Sequence, residues 1–297
     1  MPRRKRLKQW RYWRQKNIQE GILAMNNEPT NIVEYLESIR FQDLSNKRVF
    51  IGISGGINSA AVLCYLATIH PERYRPSKVF SFYAHLSEHS PDTLRFVRHM
   101  VMYGKKRFPE FNFKFSVNSI HKMFNKENFI PHPRLSPCSE RLKQVPMMKY
   151  QAEMQTEINV VGYVHHERRR RERQQSRAAD PLSYYYPIID FTDEECFDLV
   201  RREIGWYPAI YDVRDEQGRR VFKHNNCLPC KNMTGNIMSD GSATGQYQDV
   251  KRYYPEFHIA AVKTLNDIET RTGLPNYWGR KPTDTTSDIG CTDFVCE

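Results

Sequence analysis

Lys47-Arg48-Val49-Phe50-Ile51-Gly52-Ile53 followed by Ser54-Gly55-Gly56-Ile57-Asn58-Ser59, and then by Ala60 to Ile69, is the stretch that decides the fold. A short apolar run without polar alternation is the pattern of a strand buried on both faces, as in a parallel sheet. It passes through glycines straight into a compact apolar helix. Glycines there let the backbone approach an anion, and the amides of the turn and the helix N-terminus point at it. Ser54 and Ser59 add hydroxyl donors.

Working outward, Lys78 to Ala84 reads as a second strand and Pro91 to Tyr103 as a second helix. Phe111 to Val117 is a third strand, Ile158 to Val164 a fourth, and Tyr186 to Ile189 a short fifth. Helices between strands imply right-handed β-α-β units. The expected fold is α/β: an open, mostly parallel twisted sheet with helices on both faces, binding ligand at the carboxyl ends of its strands. Thr192 with Glu195 forms a capping box for a helix through Glu203. Residues 30–45, with Ile32, Val33, Tyr35, Leu36 and Ile39 at helical spacing, predict a helix before the first strand. Gln248 to Thr270 predicts one near the end, in an otherwise irregular C-terminal part. The expected division is a basic extension over 1–25, the α/β domain over 26–205 and a cysteine-bearing region over 206–297.

Apolar residues make up 39% of the 297 and charged residues 27%, a globular rather than disordered balance. No apolar run reaches the roughly 18 residues of a membrane helix, and no apolar segment follows the basic head as in a secretory signal. The reading is a soluble, cytoplasmic chain. Of the formal net charge of +11, eight cations lie in residues 1–16, interleaved with Trp10, Tyr12 and Trp13. Cations with aromatics suit phosphate neutralisation and base stacking, so nucleic acid is a candidate partner of that head; a tail packed on another protein is the alternative. Among seven cysteines, Cys64 and Cys196 sit in apolar segments and read as structural thiols. Cys138, Cys227, Cys230, Cys291 and Cys296 lie in polar or Pro- and Gly-flanked stretches and call for chemistry.

The loop is not alone. Ser90-Pro91-Asp92-Thr93-Leu94-Arg95-Phe96-Val97, Pro137-Cys138-Ser139-Glu140-Arg141-Leu142-Lys143-Gln144-Val145-Pro146, Ile158-Asn159-Val160-Val161-Gly162 with His166-Glu167 and the arginines, Tyr186-Pro187-Ile188-Ile189-Asp190-Phe191-Thr192, and Cys227-Leu228-Pro229-Cys230 follow in order. Together these six motifs, over residues 48–231, resemble the phosphoadenosine phosphosulfate (PAPS) reductase family of the N-type ATP pyrophosphatase, or adenine nucleotide alpha-hydrolase, superfamily. The resemblance implies an adenine nucleotide, ATP or an adenylyl sulfate, held by Ser54, Gly55, Gly56, Asn58 and Ser59, with Lys143 and Arg171 as further anion contacts. It implies either sulfonucleotide reduction or sulfur transfer, or ATP-dependent sulfur modification of nucleic acid as in the DNA phosphorothioation and tRNA thiolation relatives. A sulfur or electron donor protein is the partner such chemistry calls for.

Departures from the family pattern qualify that implication. Asn58 replaces the loop aspartate expected to organise Mg²⁺, His85 stands where the second strand commonly ends in Asp-Thr-Gly, and Val164 replaces an arginine. The family's Glu-Cys-Gly-Ile-His tail is absent, although Cys291 and Cys296 in the C-terminal tail are candidate nucleophiles or a resolving pair. Cys138, Cys227 and Cys230 are candidate ligands of a 4Fe-4S cluster, with a fourth ligand from elsewhere, or of zinc with His224. A non-catalytic nucleotide-binding module associated with nucleic acid is the reading that Asn58 and His85 together favour.

Overall fold

The computed structural model describes residues 41–130, 137–178, 180–225 and 227–279. The basic head, most of the helix expected over 30–45, and Cys291 and Cys296 lie outside these residues. Five parallel strands form the main sheet in the order β3-β2-β1-β4-β5: β1 Arg48–Gly52, β2 Lys78–Leu86, β3 Glu110–Asn118, β4 Ile158–Val160 and β5 Tyr184–Tyr185. β1 is central, with Val49 opposite Val79 on one side and Ile158 on the other.

Burial on both faces explains the unbroken apolar run. Phe50, Phe82 and Tyr150 cluster on one face with Ala84, Met147 and Met154, beneath helix α4 Val145–Glu153. The other face is covered by α1 Ile57–Thr68, α2 Thr93–Arg107 and α6 Asp193–Ile204. α1 is apolar almost all round because it is sandwiched: Ala60, Ala61, Leu63, Cys64 and Leu66 have no exposed surface, each large side chain contributing about 1.5–3 kcal/mol. Thr192 caps α6, accepting the Glu195 N–H at 3.3 Å while the Glu195 carboxylate takes the Thr192 N–H at 2.7 Å, and Gly205 ends it in the left-handed conformation.

Between β3 and β4 run α3 Ile120–Glu127 and the stretch leading into α4. There Pro137–Ser139 passes through a π-helical turn, Glu140–Gln144, just before Pro146. A proline has no N–H for the preceding turn and crowds its carbonyl, so the helix widens. α5, Arg168–Arg177, follows β4. The C-terminal part adds α7 Gln246–Tyr253, α8 Pro255–Thr272 and an antiparallel pair, β6 Asn236–Met238 with β7 Tyr277–Gly279.

Three expectations shift. The fourth strand stops at Val160, because the chain leaves the ladder to bring Gly162 against the phosphate loop: a Cβ on Gly162 would stand 3.0 Å from the Asn58 carbonyl oxygen. The fifth strand is Tyr184–Tyr185 rather than Tyr186 to Ile189, since Pro187 has no N–H for a ladder. The long helix near the end is two, divided at Tyr254, where Pro255 opens the second.

Candidate functional site

β2 and β3 lie on one side of β1, and β4 and β5 on the other. The order reverses beside β1, and the crevice outside the strand ends there is where such sheets take ligands. The Ser54–Ser59 loop fills it. Gly55 turns with φ +78°, and a Cβ there would meet Thr93 Cγ2 at 2.5 Å, so only glycine serves. Ser54 Oγ accepts the Gly56 N–H at 3.2 Å and pairs with Ser59 Oγ at 3.1 Å. Ser59 Oγ donates to the Gly56 carbonyl at 2.9 Å and accepts the Ser54 N–H at 3.2 Å. The loop is thus organised by its own groups.

Two residues from the C-terminal part complete it. The Tyr211 hydroxyl accepts the N–H of Ile57 at 3.3 Å and of Asn225 at 3.1 Å. Burial pushes its pKa up to about 12, against the pull of the two amides, so it stays protonated. The Asn225 side chain donates to the Gly55 carbonyl at 2.9 Å.

Beside the loop opens a cavity of about 750 Å³, within the range of small-molecule sites. Ser54 lines it, and so do Cys138, Cys227 and Cys230, three thiols far apart in sequence. Its cations are Lys143, Lys231, Arg170 and Arg173, and none of its described lining residues is a carboxylate. Lys231 is only 4% exposed. Burial raises the Cys138 thiol, while Lys231 and Lys143 draw it down. His89 also lines the cavity, its Nδ1 2.9 Å from the Tyr83 hydroxyl, which stands 3.1 Å from His85 Nδ1. Burial, Lys143 and His85 hold His89 well below the ordinary histidine range. At another part of the wall Tyr163 and Tyr184 each stack on Tyr186 behind them, with interplanar angles of 15° and 16°, and the Arg170 guanidinium lies over Tyr163.

Most of the expected residues therefore meet here. Asn58 is half-buried in the loop but outside the cavity lining. Arg171 lies beside the cavity lining: its Nε is buried without a hydrogen-bond partner and close enough to Tyr186 to lower its pKa, while Arg170 and Arg173 of the same helix line the cavity. One helical turn offers its arginines to different surroundings. Tyr211, Asn225, Lys231 and His89 were not foreseen, although Asn225 and Lys231 flank the Cys-x-x-Cys pair.

Cofactor fit follows from donor chemistry. Mg²⁺ is bound by carboxylates and substrate phosphates, and the described cavity wall supplies no carboxylate, so a Mg²⁺ here would rest on the nucleotide's own phosphates. Among the described residues no three His, Cys, Asp or Glu side chains stand close enough to share one metal ion, which leaves zinc without a tetrahedral set. An iron–sulfur cluster is larger than one ion and is held mainly by thiolates, and Cys138, Cys227 and Cys230 line this one cavity.

No protein-family model matches the sequence, and no curated protein does. Solved structures give distant likenesses. One is an NH3-dependent NAD synthetase from Campylobacter jejuni in complex with the nitrate ion, 15% identical, TM-score 0.34, over 53% of this chain and 65% of that one, just under two thirds of its length. A second is the U34-tRNA thiolase NcsA from Methanococcus maripaludis with its [4Fe-4S] cluster, 13% identical, TM-score 0.38, over 77% and 75%. The third is NMN synthetase from Francisella tularensis, 13% identical, TM-score 0.35, over 76% and 84%.

Proposed function

We propose that this chain is a PAPS-reductase-like enzyme that binds an adenylyl sulfate with its phosphate end at Ser54–Ser59 and carries out sulfur chemistry in the adjoining cavity. One observation carries the reading: Ser54 of the phosphate loop, the thiols Cys138, Cys227 and Cys230, and four cations line one cavity with no described carboxylate. Arginine and lysine side chains of that kind grip phosphate and sulfate oxygens. ATP cleavage assisted by Mg²⁺ would call for the carboxylate that Asn58 and the cavity wall lack.

In the reaction proposed, the Ser54–Ser59 turn at the N-terminus of α1 and Lys143 hold the anionic end while a thiolate, Cys296 or Cys291, attacks sulfur. The S–S bond forms, the bond from sulfur to the phosphate oxygen breaks, and AMP leaves with that electron pair. A second thiol attacks the resulting S-sulfonate, releasing sulfite and leaving a disulfide, which a dithiol donor protein reduces. Cys138, Cys227 and Cys230 would hold a four-iron cluster, which would supply redox-active iron there.

The test is anaerobic incubation with labelled adenosine 5′-phosphosulfate and a dithiol, following AMP and sulfite. Equal yields of both, abolished by Cys296→Ser or Cys291→Ser, support the reading; bound nucleotide with no product refutes it and leaves a nucleotide-binding module. A second reading has its own observation. Arg169 and Arg173 stand exposed on α5, Arg173 at the cavity itself, a placement suited to a phosphate backbone. AMP and pyrophosphate from ATP that appear only with added RNA or DNA would favour nucleic-acid sulfur modification.

A further inference from the structure

The Asn225 side chain is held from both ends. Nδ2 donates to the Gly55 carbonyl at 2.9 Å and to Thr93 Oγ1 at 2.8 Å, and Oδ1 stands 3.1 Å from Ser90 Oγ. The residue is 7% exposed, so each of these bonds replaces one that water cannot make. Its backbone N–H ends on the Tyr211 oxygen that also takes the loop amide of Ile57. Three residues on, the Leu228 N–H donates to the Glu88 carbonyl just beyond β2 at 2.6 Å. The chain between these two anchors and just past them bears Cys227 and Cys230. The thiols are therefore fastened to the phosphate loop on one side and to the end of β2 on the other.

We infer that Tyr211 and Asn225 are positioning residues which make the thiol-bearing segment Cys227–Lys231 open and close as one unit with the phosphate loop. The inference rests on nucleotide binding at that loop and adds what the binding does: an occupied loop holds the thiols in register with the ligand. Releasing the segment means breaking the Asn225 bond to Gly55 and the shared Tyr211 bond, which deforms the loop the ligand grips. A ligand that binds only the closed form suppresses opening by a factor of 1 + [L]/Kd, about tenfold when the ligand stands at ten times its Kd.

Hydrogen exchange on the full-length chain, purified anaerobically, tests this with adenosine 5′-phosphosulfate and ATP in parallel, each at ten times the Kd measured by calorimetry. Amides of Cys227–Lys231 should slow about tenfold in the wild type and less than twofold in Tyr211→Phe at matched saturation. A Tyr211 that were only structural would speed exchange with and without ligand alike and leave the ligand-induced ratio unchanged. That unchanged ratio overturns the inference, as does a wild type whose loop amides slow while those of the segment do not. If neither nucleotide binds, the functional reading has failed, and the unliganded proteins still decide the latch. Tyr211→Phe should then speed the amides of Ser54 and Gly56 in the loop and of Leu228 in the segment by a common factor, as one opening unit; Leu228 speeding without the loop amides overturns it. Should Tyr211→Phe not fold, Asn225→Ser is read the same way.

Discussion

Gly55→Ala isolates the contact on which the loop is built. Gly55 sits at φ +78°, where an alanine costs about 1–2 kcal/mol from its Cβ against the backbone. The same Cβ would stand 2.5 Å from Thr93 Cγ2 and 3.4 Å from Val97 Cγ2, and Thr93 is fully buried and fixed by Asn225. Overpacking of that kind adds about 1–3 kcal/mol, giving a total of about 2–5 kcal/mol against a whole stability of about 5–15 kcal/mol. Gly218 is the internal control, for it has φ +75° and nothing within 4 Å of an added Cβ. Gly218→Ala should lose only the backbone part. Urea unfolding of the two variants then reads the difference: with a slope near 3 kcal/mol per molar, Gly55→Ala should unfold up to about 1 M earlier than Gly218→Ala. Thr93→Ser keeps the hydroxyl that Asn225 uses and removes the clashing methyl, so adding it to Gly55→Ala should recover most of that difference. Equal midpoints for the two glycine variants, or no recovery by Thr93→Ser, would refute the packing of α2 on the loop.

Burial holds His85, His89, His121 and His258 below the ordinary histidine value. Below about pH 6.5 the unfolded chain then binds more protons than the folded one. The stability contributed by the neutral rings is thus complete above that pH and falls as pH drops; His89→Asn should flatten the fall in unfolding midpoints between pH 7 and 5, and a parallel curve would deny its buried, uncharged state. Burial pushes the Cys64 and Cys196 thiols up to about 12, so both should resist iodoacetamide at pH 8 in the folded chain and react once it is unfolded in urea. Peptide mapping that finds Cys64 or Cys196 carboxamidomethylated at a comparable rate in the folded chain would contradict this.

The strands and helices that were legible are those whose burial leaves a mark in local sequence. β1 shows as an apolar run because both faces are covered, and α6 because Thr192 and Glu195 stand three apart. β5 was misplaced by two residues since Tyr186-Pro187-Ile188-Ile189 is apolar enough for a strand, yet Pro187 cannot pair; the apolar side chains are buried in a turn instead. α5 has no apolar stripe, so periodicity could not announce it. The loop glycines were legible for the same reason as β1, being a local necessity of a tight turn. Tyr211 and Asn225 were not: they reach across 154 and 170 positions to Ile57 and Gly55, and no local spacing encodes a contact of that range. That Arg170 and Arg173 line the cavity was not legible either, because a run of arginines carries no signal about which one faces it.

Charge distribution joins the site's parts into one argument about its ligand. A loop that satisfies Ser54, Gly56, Ile57 and Ser59 from within the protein is built before any ligand arrives, so little ordering cost remains for binding. Such a loop holds one anionic group but cannot by itself select what lies beyond it. Selection falls to the wall, where Lys143 and Lys231 stand near Cys138 and act on its thiol, and Arg170 and Arg173 line another part. Arg170 is already paired with the Glu167 carboxylate, so the cations that act on the thiols are Lys143 and Lys231. A second anionic group placed against those thiols is what the sulfate of the proposed ligand would supply while its phosphate end sits at the loop.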